Sequence, residues 1–107
     1  MVNRIAICDD VEVERFVLKR QLMVYFQTNG REAQIQEYES GESLLADIEE
    51  GYIWPDLIFL DIYMNGINGM ETARKIRLWD TSCHIIFVTT SSDFAVDSYE
   101  VKATYYL

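Results

Sequence analysis

Three nearly continuous apolar runs punctuate the chain, at residues 4–8, 56–60 and 84–88. Runs without polar alternation are expected of parallel strands covered by helices on both faces. Residues 33–38 alternate instead, Ala33-Gln34-Ile35-Gln36-Glu37-Tyr38, and so predict an edge strand. A fifth β-rich run starts near residue 104. Between the first two strands, Val13, Phe16, Val17, Arg20 and Val24, with Leu22 and Phe26 beside them, recur at helical spacing and predict a broad inner face. That helix ends near Asn29-Gly30, where Gly30 suits a C-cap. Residues 43–50 predict a short helix with Leu44, Leu45 and Ile48 inward, closed by Gly51 and Pro55. Residues 69–78 predict a third, with Met70, Ala73 and Ile76 on its inner stripe, and Phe94, Val96 and Tyr99 a weaker fourth. Trp54 and Trp79 read as packing residues near helix ends.

Strands alternating with helices along the whole length, with no repeat, low-complexity tract or linker, predict an α/β fold with a parallel sheet. The 107 residues fit one domain. Right-handed crossovers place helices on both faces of such a sheet and gather the C-terminal strand ends along one edge, where ligands bind. Nine basic against 18 acidic residues give a formal charge of −9, so these residues by themselves do not suit nucleic-acid binding, which needs clustered positive charge. The longest apolar stretches fall far short of the roughly 18 residues of a membrane span. The start of the chain lacks the apolar core and cleavage site of a signal peptide, so a cytoplasmic location is expected. Cys8 and Cys83, far apart and in strand contexts, read as buried, reduced thiols.

The first strand ends in Asp9-Asp10, the third in Asp61 and the fourth in Thr89-Thr90-Ser91-Ser92. Three carboxylates at neighbouring strand ends cannot all stay ionised without compensation, so either their pKa values rise or a cation sits among them. Oxygen donors with no nearby imidazole favour Mg²⁺ or Mn²⁺ over zinc, since His84 stands at the start of its strand. A hard cation held by few protein oxygens leaves positions for phosphate oxygens, and an aspartate such as Asp61 can then serve as a nucleophile. Blander roles exist for each residue: Asp9 and Asp10 as helix caps, Asp61 as a turn former, Thr89 as a strand-end hydroxyl and Tyr106 as a half-buried strand aromatic.

Four segments together carry a resemblance that covers nearly the whole chain: Ile5-Ala6-Ile7-Cys8-Asp9-Asp10, the stretch from Pro55 through Asp61-Ile62-Tyr63-Met64 to Gly69-Met70, Ile85-Ile86-Phe87-Val88-Thr89, and Tyr105-Tyr106-Leu107. The chain resembles a response-regulator receiver domain of bacterial two-component signalling. The resemblance implies a flavodoxin-like (CheY-like), doubly wound, five-stranded parallel sheet in the order 2-1-3-4-5. It makes Asp61 the phospho-acceptor, Asp10 and Asp61 direct Mg²⁺ ligands together with the Tyr63 backbone carbonyl, and Asp9 a ligand through water. Thr89 would be the switch hydroxyl and Tyr106 the switch aromatic. The implied donor is a sensor histidine kinase, with possible homodimerisation on phosphorylation. Asp-Ile-Tyr-Met at 61–64 with Gly-Met-Glu-Thr-Ala at 69–73 is similar to members that carry a LytTR-type domain downstream, through which alone DNA would be bound.

The sequence departs from the family pattern in a few places. The family's phosphoryl-binding lysine would fall at position 109, and the fifth helix also lies past residue 107, so the expectation is a receiver truncated before that helix, with an effector domain downstream. Position 90 is Thr where Ala is usual, and 65 is Asn where Pro is common. Three other functions compete with a phospho-accepting signalling domain that is not a turnover enzyme. A Mg²⁺-dependent aspartyl-phosphate phosphatase would need a general acid two residues after the nucleophile, where this chain has Tyr63. A flavodoxin-type cofactor module would need an amide-rich phosphate loop where this chain has Asp9-Asp10-Val11-Glu12. A degenerate receiver would act as an interaction module without phosphorylation.

Overall fold

The computed structural model describes residues 2–88, Ala103 and the backbone of residues 105 and 106. Among them run β1 (Val2–Cys8), α1 (Glu12–Thr28), β2 (Glu32–Tyr38), α2 (Gly41–Glu49), β3 (Leu57–Leu60), α3 (Gly69–Trp79), β4 (His84–Phe87) and β5 (Tyr105–Tyr106). The strands form one parallel sheet in the order β2-β1-β3-β4-β5, the doubly wound arrangement expected above. The fourth helical pattern, at Phe94, Val96 and Tyr99, lies outside the described residues.

Apolar runs without alternation are needed because both faces of the sheet are covered. Ile5, Ile7 and Phe59 point to the α1 side, where Phe26 closes a small core. Ala6, Cys8, Ile58, Leu60, Ile85 and Phe87 point the other way, into a larger core with Leu44 of α2 and Met70, Ala73 and Ile76 of α3. Removing one of the fully buried aliphatic side chains there, such as Leu60, would cost about 2–5 kcal/mol. Local capping fixes where the helices on that side begin. The Ser40 hydroxyl accepts the Ser43 N–H at 3.1 Å, which starts α2 two residues earlier than its apolar pattern suggests. Asn68 and Glu71 form a reciprocal capping box at the start of α3.

Two expectations need correction. Of the expected inner face of α1, Leu22 and Phe26 do pack inward, joined by Leu18 in one stripe at i, i+4 and i+8, whereas Val13, Phe16, Val17, Arg20 and Val24 are exposed. The helix carries more apolar positions than one sheet face can cover, so composition could not say which stripe turns inward. Trp54 and Trp79, expected as packing residues near helix ends, are 65% and 48% exposed and border a surface cavity outside the buried core. Cys8 and Cys83 are buried free thiols, as expected.

Candidate functional site

In this strand order the chain runs outward in opposite directions from β1 and β3, which are neighbours, and the crevice at their C-terminal ends is where such sheets bind ligands. Cys8 is paired with Leu60, so the residues that follow, Asp9-Asp10 and Asp61, emerge side by side. One carboxylate oxygen from each of Asp9, Asp10 and Asp61 lies within 4.8 Å of the other two.

Each acid is held by backbone. The Asp9 N–H donates to the Tyr38 carbonyl at 3.0 Å, and its Oδ1 accepts the Val11 N–H at 2.9 Å. The Asp61 N–H donates to the Cys8 carbonyl at 3.0 Å. Asp10 Oδ2 accepts the Asn65 N–H at 3.1 Å, tying the loop after β3 to the loop after β1. Helix capping does not account for the acidic pair. The N-cap of α1 is Val11, without a side-chain cap bond, and Asp10 turns to Asn65 instead.

Electrostatics make the cluster uneasy. The Asp61 carboxyl is pushed up to about 6, first by burial and then by the charge of Asp9, with Asp10 adding to the effect. The N–H groups of Tyr63 and Ile62 pull it partly back. Burial, aided by Glu14 and Asp10, likewise raises Asp9 against the Val11 N–H and Arg15, which lower it. Cys8, beneath the acids with its Sγ 3.7 Å from Met64 Sδ, is pushed up to about 12 by burial first and then by Asp9 and Asp61. It therefore stays a thiol, leaving only hard oxygen donors to meet a ligand. Three carboxylates crowded enough to raise Asp61 fit a hard divalent cation.

Sequence reasoning missed three contributors. Arg15 donates from Nη1 to the Asp9 carbonyl at 2.7 Å while its Nε lies 3.4 Å from Glu37, so it positions the loop and its charge draws Asp9 down. The Asn65 N–H is a backbone group that no side-chain pattern can reveal. Gly69 lets the start of α3 press against β3's end, since a Cβ there would collide with the Asp61 carbonyl. Its place directly after a helix-capping Asn was the available signal. The Tyr63 side chain is half exposed. Thr89 lies outside the described residues, and of Tyr106 the backbone is placed, in β5 beside Phe87.

Comparison with known proteins adds the family. The response regulator receiver domain family matches residues 5–107. The sensory transduction protein LytT of Oceanobacillus iheyensis is 45% identical over 71 residues, covering 64% of this chain and 28% of that protein. LytT of Bacillus subtilis is 29% identical over 104 residues, covering 97% of this chain and 41% of that protein, so the chain spans less than half the length of either relative. The response regulator TrrA of Thermotoga maritima, solved in complex with Mg²⁺-BeF, superposes with a TM-score of 0.80 at 33% identity, covering 98% of this chain and 84% of that one. The chemotaxis protein CheY4 of Vibrio cholerae, at 22% identity and a TM-score of 0.78 over 100% of this chain and 86% of that one, shares the fold. With the strand order, the acidic crevice and a match along nearly its whole length, this chain belongs to the response regulator receiver domains of two-component signalling, with relatives of the LytT/LytR type.

Proposed function

We propose that Asp61 takes a phosphoryl group from a phosphohistidine of a sensor kinase and stores it as an acyl phosphate. The observation that carries this reading is the convergence of the Asp9, Asp10 and Asp61 oxygens within 4.8 Å at the crevice between β1 and β3. A carboxylate oxygen of Asp61 forms the new O–P bond as the N–P bond to the donor imidazole breaks. Only the ionised carboxylate is a competent nucleophile, and one held at about 6 is ionised at neutral pH while more basic than an ordinary aspartate. Asp10, Asp61 and the Tyr63 carbonyl would hold Mg²⁺ or Mn²⁺ directly, and Asp9 through water. The ion would supply positive charge opposite the transferring phosphoryl oxygens. The similarity to TrrA, a protein crystallised in complex with Mg²⁺-BeF, supports Mg²⁺ as the ion.

Thr89 would donate its hydroxyl to the phosphoryl group and Tyr106 would turn inward behind it, a population shift felt along β4 and β5. In this reading residues 1–107 form the receiver, working in the cytoplasm as a signalling domain that catalyses only its own phosphoryl transfer and dephosphorylation. The output would be homodimerisation and DNA binding through a LytTR-type domain downstream of the receiver. The acid that a phosphatase of the aspartyl-phosphate type would need is replaced by the half-exposed Tyr63.

Intact-mass spectrometry of the full-length protein after acetyl phosphate treatment tests the reading. A single phosphoryl adduct that requires Mg²⁺ and is lost in Asp61→Asn is expected. A folded protein that takes up no phosphoryl group would overturn it in favour of a phosphorylation-independent interaction module.

A further inference from the structure

At the opposite end of the sheet from the aspartates, the C-terminal ends of α2 and α3 border a cavity of about 150 Å³. Its floor is apolar, formed by Ile58, Ile76 and Cys83. Its rim carries both tryptophans of the chain, Trp54 and Trp79, with Glu49 and Asp80 between the helix ends. The spacing of α3 brings Trp79, three residues after Ile76, onto the same face, and the extended C-cap Asp80 follows directly at the helix end. Arg77 beneath the rim is turned to the Cys83 and Asp80 carbonyls, at 2.7 and 3.2 Å.

The two helix ends differ in charge: α3 closes with the basic Arg77, whereas α2 has no such partner. A helix C-terminus carries partial negative charge and favours basic residues in its last turn. In α2 the last turn has none, and Glu49 and the C-cap Glu50 add carboxylates instead. Asp80 keeps a further negative charge in place, its Oδ1 accepting the Ser82 and Cys83 N–H groups at 2.7 and 3.1 Å. Arg77 offsets part of the Asp80 charge, which leaves the Glu49 carboxylate beside two indoles that are 65% and 48% exposed, an environment that attracts a cation with an apolar stem.

The size of the cavity sets the kind of occupant. Pockets for whole small molecules run to roughly 300–1,000 Å³, and this one holds about one side chain. Trp54 also borders a second, larger hollow of about 400 Å³, lined by Tyr52, Gln34, Gln36 and Arg4, whose charge is paired with Asp56, so the surface continues past the cavity as a polypeptide would need. Exposed Trp and Tyr flanking a side-chain-sized pocket match the composition of protein-interface anchors. We propose that this end of the molecule docks a basic segment of a partner protein, one arginine or lysine of which enters the cavity rimmed by Trp54 and Trp79.

Both tryptophans border the cavity, so indole fluorescence reports on binding there, and ¹⁵N shifts separate it from the neighbouring hollow that Trp54 shares. The test titrates the protein with a blocked hexapeptide bearing one arginine among leucines and serines, and with the same peptide carrying citrulline, which keeps the shape and removes the charge. Saturable fluorescence change is expected, with ¹⁵N shift changes confined to residues 48–58 and 76–83. Citrulline and Glu49→Gln should each weaken binding about threefold to tenfold. Trp54→Leu, at an exposed position that keeps apolar bulk, should weaken it as much without changing the circular-dichroism spectrum. Equal affinity for the two peptides, shifts centred on the aspartate cluster, no saturable change, or full affinity in Trp54→Leu would each overturn the proposal.

Discussion

Asp61 is the residue at which charge and fold oppose each other most directly. An aspartate whose folded pKa is about 6, against an ordinary value of 3.8, binds its proton more tightly folded than unfolded. Its ionisation therefore costs stability. None of that cost is felt below the ordinary value, it grows as the pH rises between the two, and it is complete above about 6. Asp61→Asn without divalent cation should stabilise the protein by about 1–2 kcal/mol near pH 7.5, after allowance for solvent screening, and by little near pH 4. Urea denaturation at the two pH values checks this, and an equal gain at both would show that burial and Asp9 do not act on Asp61 as described. Cys8 shows the same neighbours acting on another group, its thiol being held neutral beside the acids.

For the elements, the decisive contact is the one between the start of α3 and the end of β3. The capping box of Asn68 and Glu71 starts the helix, and the Gly69 N–H donates to the Ile62 carbonyl at 2.8 Å, bringing the backbones together where only glycine fits. Gly69→Ala would gain helix propensity worth up to about 1 kcal/mol. Its methyl would meet the Asp61 carbonyl, a backbone atom that cannot swing aside. Overpacking of this kind costs about 1–3 kcal/mol, so we expect a lower urea midpoint and slower phosphoryl uptake. A raised midpoint would mean that propensity wins and that the two backbones are free to separate. In α1 two apolar stripes were available, and the sheet took Leu18, Leu22 and Phe26.

On the scale of the molecule, a charge of −9 and a cluster of three acids predict that cations stabilise the fold in two distinct ways. Monovalent salt screens the general repulsion, whereas Mg²⁺ binding in the crevice adds a specific term. At a Mg²⁺ concentration ten times its dissociation constant, near pH 7.5, the specific term is about 1.4 kcal/mol over sodium at matched ionic strength. It should fade as the pH falls through about 6, where Asp61 takes a proton, and be largely lost in Asp10→Asn. Thermal melts at matched ionic strength check this, and identical melts in the two salts would remove the metal from the account. The tryptophan-rimmed cavity lies at the other end of the sheet, so peptide binding there is expected to leave the Mg²⁺ effect intact.

The sequence by itself determined the sheet and the chemistry that it presents. Unbroken apolar runs mean strands covered on two faces, and the acids directly following β1 and β3 must then emerge at one edge, because parallel strands point the same way. Patterns of this kind survive because they depend on neighbours along the chain. What depends on neighbours in space was decided only by the tertiary structure. The stripe of α1 that turns inward was settled by which residues the α1 side of the sheet could cover, Leu18, Leu22 and Phe26, while Val13, Phe16, Val17 and Val24 stayed in solvent. Trp54 and Trp79 read as packing residues near helix ends, and only the placement of α2 and α3 in space put them, partly exposed, on the rim of a surface cavity. The raised Asp61 carboxyl, the bond from Asn65 to Asp10 and the turn of Arg15 toward Asp9 all arise from groups distant in sequence, whose separations and burial exist only once the sheet has formed.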